Sequence, residues 1–66
     1  MKLHQLVELL DADTPVCIQD SHGITQYEDA EELAQDWAFY EAIRNREISA
    51  VWYSRTLYKS VVIHII

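Results

Sequence analysis

The side chains able to do chemistry in this chain are few and scattered. Three histidines, His4, His22 and His64, and a single cysteine, Cys17, are the ones that could ligate a transition metal. Metal sites set two ligands three or four residues apart on a helix, or pair cysteines as CxxC. No two of these four residues stand at such a spacing, so neither a metal nor another cofactor is expected. Asp20-Ser21-His22 has the letters of a hydrolase triad. A triad is a convergence in space with oxyanion donors beside it, whereas neighbours in a tight turn splay apart, and turn chemistry alone favours these residue types. Cys17 lies between Val16 and Ile18 with no cation near it in sequence. It reads as a small buried hydrophobe and not as a thiolate. No catalytic residue is assigned, and the chain is expected not to be an enzyme.

Two other groups of residues stand out. Glu28, Asp29, Glu31, Glu32 and Asp36 form an acidic run with no Lys or Arg inside it. Part of it suits a helix start, with Asp29 as N-cap, Glu32 three residues on, and negative charge where the helix dipole favours it. The sharper reading is a patch that occupies a basic groove on a partner, with carboxylates standing where phosphates would. Glu8, Asp11 and Glu41 would extend it. The aromatics form two clusters, Trp37-Phe39-Tyr40 and Trp52-Tyr53-Tyr58. Trp37 falls on a stripe with Ala30, Leu33 and Tyr40 and is expected in the core. Phe39 and Ile43 lie off that stripe and are interface candidates. Trp52 and Tyr53 are adjacent on a strand, so they point to opposite faces, and one must lie outside a one-sided core beside Tyr58 or Val62. With Ile66 these are the residues expected to anchor an interface.

Length and charge bound what such groups can serve. Sixty-six residues make one domain (residues 1–66), too small to spare an ordinary ligand cleft of roughly 300–1,000 Å³. Half the residues are apolar, which argues for a folded chain. Eleven Asp and Glu against five Lys and Arg give a net charge of −6. That balance argues against direct nucleic-acid binding and suits a partner with a basic surface. There is no apolar run long enough to span a membrane, and Glu8 interrupts anything resembling a signal peptide. One unpaired cysteine fits a reducing compartment. A cytoplasmic protein is expected.

The elements that must position these residues follow from periodicity. Leu3, Leu6, Val7 and Leu10 predict a first helix ending near Asp11, stopped before Pro15. Residues 16–19 read as a strand with Val16 and Ile18 inward, residues 20–23 as a turn whose glycine takes positive φ, with a bulge, and residues 24–27 as a returning strand. A second helix runs from Asp29 to about Arg44. Residues 47–55 and 58–66 are strand formers joined at Arg55-Thr56-Leu57, with one long bent strand as the alternative. In the last of them Val61, Ile63 and Ile65 face one way, and Tyr58, Val62, His64 and Ile66 the other. The expected architecture is α+β, in the order α-β-β-α-β-β, an antiparallel sheet with helices on one face. Its second face is left without cover, which predicts a homodimer.

A Leu-rich first helix, a Val16-x-Ile18-x-Asp20 hairpin strand, an acidic helix and a final Val61-x-Ile63-x-Ile65 strand together resemble small acidic proteins of bacteriophages and mobile elements, among them anti-CRISPR and other anti-defence inhibitors. The likeness spans most of the chain, rests on pattern and size, and brings no functional residue with it. It implies a protein that works by binding, blocking a nucleic-acid-handling host complex. Two other functions fit the residues. One is a nucleotide- or small-molecule-sequestering protein with its site at an oligomer seam, with Trp52, Tyr53 or Tyr58 stacking on a ring and Arg55 or Lys59 meeting a phosphate. The other is a purely structural oligomerisation module.

Overall fold

The computed structural model describes residues 1–56 and 58–66. Its elements are α1 (Leu3–Val7), β1 (Val16–Asp20), β2 (Gly23–Tyr27), α2 (Ala30–Gln35), α3 (Trp37–Ile43), β3 (Ile48–Ser54) and β4 (Ser60–Ile65). The strands form one four-stranded sheet in the order β2-β1-β4-β3. The α+β class holds. The expected all-antiparallel sheet does not, because β1 and β4 pair in parallel between two antiparallel pairs, Val16 opposite Val61 and Ile18 opposite Ile63.

The last strand explains the difference. Val61, Val62, Ile63 and Ile65 are apolar on both faces, and a strand with two apolar faces belongs inside a sheet. β4 accordingly sits between β1 and β3, and Val62, Ile63 and Ile65 are all at most 1 % exposed. Val62 is therefore not an interface residue: it is buried within the protomer. The core on the helical face joins Leu3 and Val7 of α1, Leu33 of α2 and Ile43 of α3 to Val16, Ile18, Tyr27, Ile63 and Ile65. On the other face Cys17 lies beside Val62 in register and is also buried. Its Sγ is 3.0 Å from the Oγ of buried Ser60.

The first hairpin is tighter than expected. Asp20 pairs with Gly23 and the register runs without a bulge to Val16 opposite Tyr27. Gly23 adopts φ 136°, a conformation that L side chains rarely take. Asp20 Oδ1 accepts the His22 N–H at 2.8 Å, which closes the loop. The second hairpin joins β3 to β4, so the single bent strand is excluded. Of the expected connection, Leu57 lies outside the described residues.

The expected helix from Asp29 to Arg44 is two helices. The chain breaks at Asp36, whose φ/ψ of −76°/72° lies outside the helical region. The Asp36 carboxylate accepts a 2.7 Å hydrogen bond from the Tyr27 hydroxyl, which anchors the break to the sheet. A break resets the helical phase, and the apolar stripe changes with it. Trp37, expected in the core, is 75 % exposed, while Ile43 is buried and Phe39 packs on the core with its ring 6.1 Å from that of Tyr27. Ile43 is thus a core residue and not an interface residue, and Phe39 is half-buried against that core. The first helix is also shorter than expected, ending at Val7.

Candidate functional site

The acidic run is built around the start of α2. Asp29 Oδ1 caps the helix by accepting the Glu32 N–H at 2.7 Å, and Glu32 Oε2 reaches back past the cap to accept the Glu28 N–H at 2.9 Å. Glu31 Oε1 accepts from the Gln35 amide at 3.2 Å. Asp36 holds Tyr27, whose phenol is pushed well above the ordinary tyrosine value by burial first and by the hydrogen bond and charge of Asp36 next. Four of the five carboxylates thus accept hydrogen bonds within the protein. Their charge is another matter: among the described residues none of the five is in an ion pair. Glu28, Glu31, Glu32 and Asp36 are exposed and Asp29 is half-buried. The run is an uncompensated acidic surface on a rigid, capped frame. Of the residues expected to extend it, Glu41 stands 3.9 Å from Arg44 and is partly neutralised.

Two open hollows flank this surface. One, about 370 Å³, lies between α1 and the α2–α3 pair and is lined by Val7, Leu10, Ala34 and Tyr40, with Glu8, Glu31 and Arg44 around it. Burial raises the Tyr40 phenol, an effect that nearby Arg44 opposes. The other, about 350 Å³, lies between Pro15, Glu28, Glu32, Tyr58 and Lys59. Tyr58 and Lys59 were candidates for stacking a nucleotide and meeting its phosphate. Here Glu28 and Glu32 share the hollow with that lysine, so a phosphate would face two like charges.

The remaining aromatic candidates lie along β3. Trp52 pairs with Val62 and Tyr53 with Val61, so the two do point to opposite faces. Val51, Trp52 and Tyr53 are 47, 45 and 60 % exposed. β3 is an edge strand, and this is what sequence reasoning missed: the exposure follows from an unpaired edge, and it includes Val51. Ile66 is exposed beyond β4, while Tyr58 is half-buried.

The histidines are spread as their spacing implied. His4 is on α1 with its Nδ1 buried, without a hydrogen bond and 3.6 Å from Glu8. His22 is in the β1–β2 loop, 3.3 Å from Ser21 Oγ, and His64 is on β4. In the Asp20-Ser21-His22 turn Asp20 Oδ1 accepts the His22 backbone N–H and stands 4.0 Å from His22 Nδ1, the same nitrogen that Ser21 Oγ approaches at 3.3 Å, whereas a triad sets serine and carboxylate at opposite ring nitrogens. No helix among the described residues is long and apolar enough to cross a membrane. Comparison with protein-family models, with curated proteins and with solved structures finds no match to this chain.

Proposed function

We propose that this protein is a binding inhibitor, encoded by a phage or mobile element, that blocks a host defence nucleoprotein in the cytoplasm by placing the surface of Glu28, Asp29, Glu31, Glu32 and Asp36 in a basic groove. The observation that supports this reading is the absence of any ion pair to these five carboxylates among the described residues, in a chain of net charge −6. Their capping bonds fix the backbone beneath them, which lowers the cost of ordering on binding. Long-range attraction to a basic groove follows from the net charge and is weakened by salt.

The test separates charge from capping. Glu28→Gln, Asp29→Asn, Glu31→Gln, Glu32→Gln and Asp36→Asn in one chain keep every acceptor oxygen of the caps and of the Tyr27 bond while removing five negative charges. Tagged wild type and this variant are incubated with nuclease-treated host lysate and the captured proteins are quantified by mass spectrometry. The expected result is one stoichiometric nucleic-acid-handling protein on the wild type, lost with the variant and lost in high salt. Equal recovery on both chains, or recovery of the bait alone, would overturn the proposal.

A further inference from the structure

The outer edge of β3 is selectively open. Val61 N–H bonds Pro15 C=O at 3.0 Å, so alternate residues of β4, namely Ser60, Val62 and His64, turn their backbone groups toward β3. Their partners Ser54, Trp52 and Ala50 therefore use their N–H and C=O groups on β4. Val51 and Tyr53 are left pointing their N–H and C=O outward. At the start of the strand the edge is occupied: Ile48 N–H bonds Met1 C=O at 2.9 Å, Leu3 N–H bonds Arg46 C=O at 3.0 Å, and Lys2 bridges Glu47. The free edge thus begins after Ile48 and ends where the strand ends, at Ser54.

Natural edges are guarded by charge, proline, bulges or brevity. β3 carries no charged residue and no proline from Ile48 to Ser54, and its register shift lies at the already covered end, between Ile48 and Ala50. We propose that this edge is the seam of a homodimer, in which β3 of two copies pair antiparallel about a two-fold axis at Trp52 to make one continuous eight-stranded sheet.

Three observations select a second copy and this register. First, length: centring the axis on Val51 would set the second copy's Ser54 against Ile48, whose N–H Met1 already takes. Centring it on Trp52 pairs residues 50–54 of each copy clear of Met1 and joins outward-facing Val51 to the second copy's outward-facing Tyr53. Second, side chains: this register sets Trp52 beside Trp52 on one face and Val51 beside Tyr53 on the other, which covers all three exposed apolar residues at once. Third, charge: the neutral strand is bracketed by Glu47, whose Oε2 already holds the Met1 ammonium at 3.1 Å, and by Arg55, which is in no ion pair among the described residues. An antiparallel copy brings each Arg55 toward the other's Glu47 end. The acidic run does not oppose this approach, since it follows β2 at the far edge.

Light scattering on the purified chain at tens of micromolar tests the proposal, with a mass twice 7.7 kDa expected. Tyr53→Pro removes an outward N–H that the protomer does not use. It should keep the far-ultraviolet spectrum of the fold and raise the dimer dissociation constant about 30-fold or more, two hydrogen bonds per dimer at roughly 1 kcal/mol each. Gln26→Pro, on the opposite edge strand, should leave the mass doubled. Trp52→Cys should cross-link to itself under mild oxidation and Ala50→Cys should not, because only position 52 meets its own copy. A wild-type mass of 7.7 kDa throughout would overturn the proposal, as would a folded Tyr53→Pro chain whose dimer dissociation constant equals that of the wild type. So would a monomer that takes up only an unrelated extended peptide on this edge. None of these readouts involves the acidic surface, so this proposal and the proposed function fail separately.

Discussion

The molecule is two antiparallel hairpins, β1–β2 and β3–β4, joined by parallel pairing of β1 with β4. Each hairpin leaves one strand at an edge, and the two edges are finished differently. β2 is five residues long, exposes Thr25 and Gln26, and leads directly into the acidic cap of α2. β3 is seven residues long and exposes Val51, Trp52 and Tyr53. The loops differ as well. The first hairpin closes with a glycine at φ 136°, and the connection in the second places Lys59 at φ 50°. The same unit therefore ends once in a polar edge and once in an apolar one, and polarity, not length, separates the two.

That contrast can be broken at several points. The largest effect is expected at the junction of the hairpins: Val62→Asp places a carboxylate in a fully buried site and should cost about 3–5 kcal/mol, enough to unfold much of a small domain. Ile66→Asp, exposed just beyond the same strand, should stay within about 0.5 kcal/mol, and urea titration of both distinguishes core from surface. Next comes the tight loop. Gly23→Ala meets no atom within 4 Å but forces an alanine to φ 136°, so a loss of about 2 kcal/mol is expected, from the backbone alone.

A smaller effect is expected at the bond that ties β2 to the helix break. Tyr27→Phe removes the hydrogen bond to Asp36 and should cost about 1 kcal/mol at neutral pH. It should also change the alkaline behaviour. The folded phenol titrates above its unfolded value of about 10, so below that value its contribution is fully present. As the pH climbs past it, the unfolded chain releases a proton that the folded one retains, and stability falls. The variant should lose that part of the alkaline slope and keep the part due to Tyr40. The last change is a gain: Lys59→Gly relieves a left-handed residue and should add about 0.5–1 kcal/mol, read as a raised melting temperature.

Much of the local structure was legible because it rests on short-range chemistry. The Asp29 cap, the Gly23 turn, the inward-facing Val16 and Ile18 and the opposite directions of Trp52 and Tyr53 all depend on neighbours in sequence. Order within the sheet does not. The two apolar faces of β4 pointed to a missing cover, yet in the middle of the sheet, with β1 and β3 alongside, both Val62 on one face and Ile63 on the other are already buried. Reading them as an interface assigned Val62 to a partner when it belongs to the core. The Asp36 break was hidden for a related reason. The bond that anchors it comes from Tyr27, before the helix, and without that bond the stripe through Trp37 looks continuous. The acidic run was visible as composition, but the division of its carboxylates between capping and free charge needed coordinates.

The placement of β4 has a consequence for how the chain is made. The strand that holds the sheet together is also the last of the four strands in chain order. Until it emerges, β1 has its hairpin partner but no second neighbour, and β3 has none. Val16 and Ile18 then lack the wall that Val61 and Ile63 provide. Pairing across most of the chain is slow to nucleate compared with a local hairpin. During synthesis β1 and β3 therefore both emerge before the strand that joins them, Ser60–Ile65.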